Sequence, residues 1–243
     1  MIRPHPCVLA PALALLLLSG CGGGSAPADN GEASKQASQI LKDTVAALRR
    51  ADSVHLYGMV PSGTESFGID VRYNRSGNLT GTFSLGGISA DVVVTGGHSY
   101  LKGKALFAKY AGAQAAAVIG DHWVAVPAGA GPGADIVESI STFTDFGKLA
   151  DALSMPSGGA VTKGASTTVD GQAVVALRDA DSTLYVATTG KPYPVAVKPQ
   201  TGSQALHFAS WDAAVEVSAP RDALDFSALG GTLGSGPSPS ASP

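Results

Sequence analysis

Few residues of this chain could do covalent chemistry, and most of them stand alone. The chain has two cysteines and, after its first twenty residues, four histidines: His55, His98, His122 and His207. These histidines are far apart in the sequence and follow no metal-ligand spacing. The chain also lacks a Gly-x-Ser-x-Gly nucleophile motif, and its carboxylates are scattered over predicted turns and polar strand positions. We therefore expect no enzymatic activity, no metal site and no cofactor, and a hydrolase is the weakest interpretation.

Cys21 is the exception, because of the residues in front of it. Arg3 precedes an apolar run over residues 8–18, and small residues, Ser19 and Gly20, follow the run. This order is typical of a secretory signal, and the run is shorter than the roughly 20 residues of a membrane-spanning helix. Leu18-Ser19-Gly20-Cys21 resembles the lipobox of bacterial lipoproteins, in which a diacylglycerol alkylates the thiol before the signal is removed. The resemblance implies lipid attachment at Cys21 and a location on the extracytoplasmic face of the cell membrane.

The net charge and the cysteine content limit the possible binding partners and the ways of stabilising the fold. The formal charge is −3, and removal of a signal containing Arg3 makes it one unit more negative. There is no basic run that could neutralise phosphates, so we expect no nucleic-acid partner. A lipidated Cys21 leaves no cysteine for a disulfide within the chain, so the fold must be stable by its core alone. The lipid anchor makes the membrane the expected partner, since two or more acyl chains hold a protein there stably.

Composition divides the chain into four segments. Residues 1–20 are the signal, and residues 21–34, rich in small and polar residues, are a flexible tether. Residues 35–229 contain no internal linker and are predicted to form a single domain. Residues 230–243 are almost entirely Gly, Ser and Pro, which predicts a disordered tail.

The first half of the domain changes from helical spacing to alternation. Apolar residues recur at helical spacing over residues 35–50, which predicts a helix. Apolar and polar residues then alternate in successive segments with Asn-rich or Gly-rich turns between them, which predicts an antiparallel meander with one apolar face. These predicted strands are Val54–Val60, Phe67–Tyr73, Leu79–Leu85 and Ile88–Val94, with a fifth beginning at Tyr100.

The second half returns to strands after a helical middle. Lys104–Ile119 and Asp135–Leu153 are predicted to be helical, with a short strand at Trp123–Val126 between them. Further strands are predicted at Val161–Val169, Gln172–Leu177, Thr183–Thr188, Tyr193–Val197, Ala205–Phe208 and Ala214–Val217. This order predicts an α+β fold with one large antiparallel sheet of about ten strands. A sheet of that size curves, and the helices are expected on its concave face.

Several segments of the domain resemble the actinobacterial lipoproteins of the LppX and LprG type. They are Tyr100-Leu101-Lys102, Gly120–Pro127, Val169–Ala173, Thr183–Ala187 and Gly190–Pro194. The resemblance covers most of residues 35–220 and rests on strand, turn and packing residues. It implies a LolA-like half-barrel that binds lipid or glycolipid between the sheet and the helices and carries it within the cell envelope. An envelope transporter is then an expected partner.

The apolar face of the meander is the predicted ligand surface. Its candidate cavity residues are Phe67, Ile69, Val71, Phe83, Leu85, Val92 and Val94 from the strands and Leu106, Phe107, Ile136 and Ile140 from the helices. Alternation alone is equally consistent with a closed core. The alternative function is therefore a non-enzymatic envelope scaffold or interaction module without a ligand.

Overall fold

The protein contains one large sheet, which a computed structural model describes over residues 28–62, 65–126, 144–154 and 159–225. In chain order the strands of this described part are β1 (Ser53–Ser62), β2 (Glu65–Asn74), β3 (Leu79–Leu85), β4 (Ile88–Thr95), β5 (His98–Lys102), β6 (Val124–Val126), β7 (Thr162–Val169), β8 (Gln172–Arg178), β9 (Ser182–Ala187), β10 (Pro194–Pro199), β11 (Leu206–Ala209) and β12 (Leu224–Asp225).

The sheet consists of two meanders joined at their first and last strands. Its spatial order is β12-β6-β5-β4-β3-β2-β1-β11-β10-β9-β8-β7. Pairing of β1 with β11 joins β1–β6 to β7–β11. Neighbouring strands are antiparallel, apart from the parallel pair of β12 and β6 at one edge. The predicted α+β class with a large curved sheet is confirmed, with twelve strands in the described residues and one parallel pair.

Four helices accompany the sheet in the described residues: α1 (Ala37–Leu48), α2 (Lys104–Tyr110), α3 (Ala113–Ile119) and α4 (Phe146–Ser154). The single helix predicted over Lys104–Ile119 is wrong, because Gly112 has a φ of 90° and separates α2 from α3. The helical prediction over Asp135–Leu153 is confirmed from Phe146 onward, and its first part lies outside the described residues.

Two glycines lie where neighbouring strands approach each other closely. Gly58 in β1 has a φ of 137° and Gly81 in β3 has a φ of 152°. A Cβ atom at Gly58 would lie 2.0 Å from the carbonyl oxygen of Ala205, and one at Gly81 would lie 2.1 Å from that of Asp70. No side chain fits at either position. Glycine inside a strand often marks a bend or a close backbone approach of this kind.

Alternation along the strands gives the sheet an apolar inner face. Val54 and Leu56 of β1, Ile69 and Val71 of β2 and Phe83 of β3 point to this side and are buried. They form one cluster with residues of α2, α3 and α4 and with Leu48 of α1. At its other end α1 buries Ile40 against β8 and β9. Helix α1 therefore spans the inner face from one meander to the other.

The opposite, outer face carries an apolar cluster in the second meander. Val174, Ala187, Val195 and Ala196 form a second buried cluster there with Val169. Val174 pairs with Ala187, while the next pair along the same strands, Val175 and Val186, packs on the inner side. Both faces of this part of the sheet are therefore buried, which the alternation in the sequence does not predict.

The tip of the β7–β8 hairpin lies against the outer face of more distant strands. Asp170 in this turn lies 2.6 Å from His207 Nδ1 of β11, and the Tyr57 hydroxyl of β1 donates to Asp170 at 3.5 Å. Because β9 and β10 separate β8 from β11 in the sheet, these contacts require a strongly twisted sheet.

Two boundary predictions differ from the structure. Residues 28–34, predicted to belong to the tether, pack on the sheet, since the Asn30 amide N–H donates to Thr188 O at 2.9 Å and Glu32 is only 3% exposed. The strand predicted at Ala214–Val217 is absent. Ser210 and Asp212, with φ values of 50° and 60°, turn the chain away after β11, whose two edges already pair with β1 and β10.

Candidate functional site

The predicted cavity residues that the structure describes lie together on the inner face. Ile69 pairs across strands with Phe83, and Val92 pairs with Gly81, so neighbouring strands place these side chains side by side. Of the predicted cavity residues, six are buried members of one cluster: Ile69, Val71, Phe83, Val92, Leu106 and Phe107. Phe67 and Val94 are half-buried and pack against this cluster. Ile136 and Ile140 lie outside the described residues, as does Cys21.

Burial of the inner face decreases toward one end of the first meander. Val60, Phe67, Leu85 and Ile88 form a row across β1 to β4, because each is the cross-strand partner of the next. All four are half-buried. We call these four residues the rim row. At the other end of the same strands Val54, Tyr73 and Leu79 are buried, and Val94 of β4 is half-buried. The apolar inner face is therefore most accessible at the rim row.

The opposite end of the inner face is closed by aromatic rings. Tyr73 packs on Phe146 of α4 with ring centroids 4.9 Å apart, and Trp211 stacks on Tyr193 at 4.4 Å and on Phe208 at 5.9 Å. The Trp211 indole N–H donates to the Pro194 carbonyl at 2.9 Å. The Tyr73 hydroxyl is buried without a hydrogen-bond partner. Its burial and the nearby charge of Asp145 raise the pKa of Tyr73.

A pocket of about 390 Å³ lies beside this aromatic cluster, between α1 and the turn that precedes β10. We call it the α1 pocket. Its charged lining residues are Glu32, Lys35, Asp43, Arg50 and Lys191, and Tyr193 forms part of its wall. Most of these residues come from the segment that the sequence assigns to the tether and the first helix. The sequence signal is faint: Asp43 and Arg50 are seven residues apart, a spacing that would put them on one face of the helix predicted over residues 35–50, whereas α1 ends at Leu48.

One end of the α1 pocket holds a charge network around Lys35. Lys35 Nζ lies 2.6 Å from Glu32 Oε1 and 2.8 Å from Asp43 Oδ2. The hydrogen bonds to Asp43 and Glu32 raise the pKa of Lys35, and the bond from Lys35 lowers that of Asp43 against the opposing effect of burial. The second carboxylate oxygen of Glu32, Oε2, is buried and has no hydrogen-bond partner.

A second network stands at the Lys191 side of the pocket. Asp212 accepts hydrogen bonds from Lys191 Nζ at 2.7 Å, from the Tyr193 hydroxyl at 2.8 Å and from the Asp52 amide N–H at 2.9 Å. The hydrogen bonds to Asp212 and Tyr193 raise the pKa of Lys191, so its ammonium stays charged. This network holds the Lys191–Tyr193 turn against the start of β1.

Two of the histidines that are distant in the sequence meet on the outer face. Tyr57 lies between them, with ring centroids 4.9 Å from His55 and 5.2 Å from His207. Each histidine also contacts a carboxylate: His55 Nε2 lies 2.7 Å from Asp70, and His207 Nδ1 contacts Asp170. Among the described residues, no group of three or more His, Cys, Asp or Glu side chains is arranged to hold a metal ion.

Within the described ranges, no helix is both long and apolar enough to cross a membrane.

The sequence by itself finds no relatives. No protein-family model matches it, and no curated protein matches it.

A solved structure superimposes on most of this chain. LprF from Mycobacterium bovis superimposes with a TM-score of 0.54 at 17% sequence identity, covering 76% of this chain and 96% of LprF. The chain has the fold of LprF. A second solved structure, the Mycobacterium tuberculosis lipoprotein LppX, gives a TM-score of 0.46 at 16% identity, covering 75% of this chain and 98% of LppX. The LprF match confirms the fold that the resemblance to the LppX and LprG type predicted.

Proposed function

We propose that this protein is a membrane-anchored, extracytoplasmic lipoprotein that binds acyl lipid or glycolipid at its inner face and carries it within the cell envelope. The observation that carries the proposal is the continuous apolar inner face, which ends in the half-buried rim row. The LprF fold and the lipobox-like sequence before Cys21 support it. The protein needs no cofactor or catalytic residue for this role.

Burial of the lipid tails would provide the binding free energy. Each methylene group removed from water contributes roughly 0.8 kcal/mol, so a chain of about sixteen carbons gains on the order of 12 kcal/mol relative to water. A lipid in a bilayer is already shielded from water, so the net preference for the protein over the membrane is far smaller. This near-balance suits a carrier, which takes lipid from one membrane and releases it to another membrane or to an envelope transporter.

A substitution in the rim row tests the proposed cavity. The test protein is the mature chain, residues 21–243, with Cys21→Ala so that it carries no anchor of its own. Acyl lipid in its organic extract is measured by mass spectrometry. Leu85→Trp fills the accessible end of the inner face and should lower the lipid-to-protein ratio at least twofold. Val94→Trp, at a second half-buried position, should also lower it. Ile69 is only 3% exposed, and a tryptophan there would overpack the core.

Thr82→Trp is the matched control, since Thr82 is exposed on the outer face of the same strand as Leu85. It should leave the lipid-to-protein ratio unchanged. Equal recovery from all the variants would remove the inner face as the binding surface. An extract of the parent chain without acyl lipid would instead support the closed-core scaffold or interaction module.

Attachment at Cys21 is tested in cells. A full-length chain with intact Cys21 should incorporate labelled fatty acid and sediment with membranes. Cys21→Ala should lose the label and appear in the soluble fraction, because the acyl chains would supply the anchor. Fatty-acid labelling that persists in Cys21→Ala would contradict this attachment site.

A further inference from the structure

The α1 pocket follows one face of α1. Asp43 and Ala47 line it at positions i and i+4 of that helix, and Arg50 lines it from the turn that follows the helix. The turn containing Lys191 and Tyr193 forms the facing wall. The volume of about 390 Å³ is within the range of small-molecule sites.

Two polar groups of the pocket lack partners. Glu32 Oε2 is buried and accepts no hydrogen bond, although its side chain is only 4% exposed. A buried acceptor left in this state costs free energy, so a ligand that donates to it would bind with an advantage. Arg50 is exposed and forms no ion pair with any residue in the described part of the chain, unlike Lys35 and Lys191. The pocket thus offers an acceptor and a cation to one ligand.

The pocket also lies close to the predicted membrane anchor. The segment leading to it is fixed to the sheet, because Asp29 bridges to Thr189 and Asn30 Nδ2 donates to the carbonyl oxygens of Ala187 and Gly190. Asp29 is the eighth residue after Cys21. A chain extends by at most about 3.6 Å per residue, so Asp29 stands within roughly 29 Å of the lipidated sulfur. This distance keeps the pocket near the lipid head groups.

We propose that the α1 pocket binds the head group of a phospholipid in the anchoring membrane. The phosphate pairs with Arg50, and a hydroxyl or ammonium group of the head group donates to Glu32 Oε2. The assignment rests on the proposed lipid attachment at Cys21, which brings the pocket to the membrane. Tyr193 belongs to the apolar cluster and Ala47 packs against it, so the pocket lies beside the end of the inner face that the aromatic rings close, away from the rim row.

Vesicle binding of the mature Cys21→Ala chain tests this site. The probes are phosphatidylcholine vesicles with and without phosphatidylglycerol, whose head group adds glycerol hydroxyls to the phosphate. Arg50→Gln should weaken binding to the phosphatidylglycerol vesicles about tenfold, as expected for loss of a charge-assisted contact. Arg72→Gln is the matched control: it removes the same charge from an exposed position on the outer face and should change binding less than about twofold.

Glu32→Gln separates the pocket from general charge attraction. The substitution removes a negative charge, so simple attraction to an anionic surface predicts tighter binding. A head group that donates to Glu32 predicts weaker binding, by about threefold or more. Tighter binding of Glu32→Gln, or equal losses in Arg50→Gln and Arg72→Gln, would overturn the proposal.

A soluble probe distinguishes a membrane lipid from a free phosphate compound. Glycerol 3-phosphate carries the phosphate and hydroxyls without acyl chains, and its binding can be followed by titration calorimetry. If it binds the parent chain but not Arg50→Gln, while phosphatidylglycerol vesicles do not bind, the membrane assignment is wrong. The acyl lipid measured in organic extracts is an independent readout, so failure of the α1 pocket and failure of the inner-face cavity are distinguishable.

Discussion

Replacing Tyr73 with phenylalanine should stabilise the protein. Tyr73 is 1% exposed, and its hydroxyl has no hydrogen-bond partner. Folding therefore removes this hydroxyl from water without compensation, which costs about 1–3 kcal/mol. Tyr73→Phe removes that cost and keeps the ring that packs on Phe146. We expect the free energy of unfolding to rise by about 1–2 kcal/mol.

Urea denaturation of the mature Cys21→Ala chain measures this change. For a domain of this size, about 1 kcal/mol corresponds to roughly 2–4 °C in Tm, so thermal unfolding should show a rise of about 3–6 °C. The dependence of the free energy on urea concentration should stay the same, since the surface exposed on unfolding hardly changes. Burial raises the pKa of Tyr73, so the hydroxyl stays neutral, and the difference should be constant from about pH 6 to about pH 9.

Tyr100→Phe is the matched control, because the half-buried Tyr100 lies on the outer face of β5. It should change stability by less than about 0.5 kcal/mol. A loss of about 1 kcal/mol or more in Tyr73→Phe would refute the reasoning. It would mean that the native Tyr73 hydroxyl makes a favourable hydrogen bond.

Two further substitutions test the close approach of β2 and β3 at Gly81 and the hydrogen-bond network around Asp212. Gly81→Ala forces a Cβ into the backbone of β2 and should lower the free energy of unfolding, measured by urea denaturation, by about 3 kcal/mol. Gly77→Ala is the control, because Gly77 has a φ of 81° but no neighbour within 4 Å, and it should cost about 1 kcal/mol. Equal costs would exclude the clash as the cause. Burial alone raises the pKa of Asp212, but hydrogen bonds from Lys191, a backbone N–H and Tyr193 outweigh it and lower the pKa. A lowered pKa gives stability above the unfolded value that is lost as the pH falls, so Asp212→Asn should cost about 1 kcal/mol near pH 7 and almost nothing at about pH 2. Thermal unfolding followed by circular dichroism between about pH 2 and about pH 7 measures the stability difference between the parent and Asp212→Asn. A difference that does not change with pH would contradict the prediction.

Local patterns in the sequence identified most of the strands. In β2 the alternation of Phe67, Ile69, Val71 and Tyr73 with polar or small residues is itself the signal, because side chains of a strand point to opposite faces in turn. Short glycine-rich turns also predicted where strands end, and the structure places Gly86-Gly87 in the turn between β3 and β4. A two-residue strand such as β12 carries no period and could not be predicted.

The second meander shows where this pattern fails. Val174, Val175, Ala176 and Leu177 form a continuous apolar run in β8, and all four are buried. Such a run predicts that both faces of the strand are buried, but it does not predict which elements pack on each face. The inner side receives Ile40 of α1, and the outer side belongs to the second cluster.

Fold class, strand alternation and the lipobox-like motif before Cys21 were thus accessible from the sequence, because each depends on residues that are close together in the chain. The α1 pocket was not accessible, because it joins Glu32 and Arg50 to Lys191, which stands well over a hundred residues later. Neither the partnerless Glu32 Oε2 nor the half-buried rim row has a local signature. The rim row forms only when β1 to β4 pair in register, and Glu32 becomes buried only when the segment before α1 packs on the second meander.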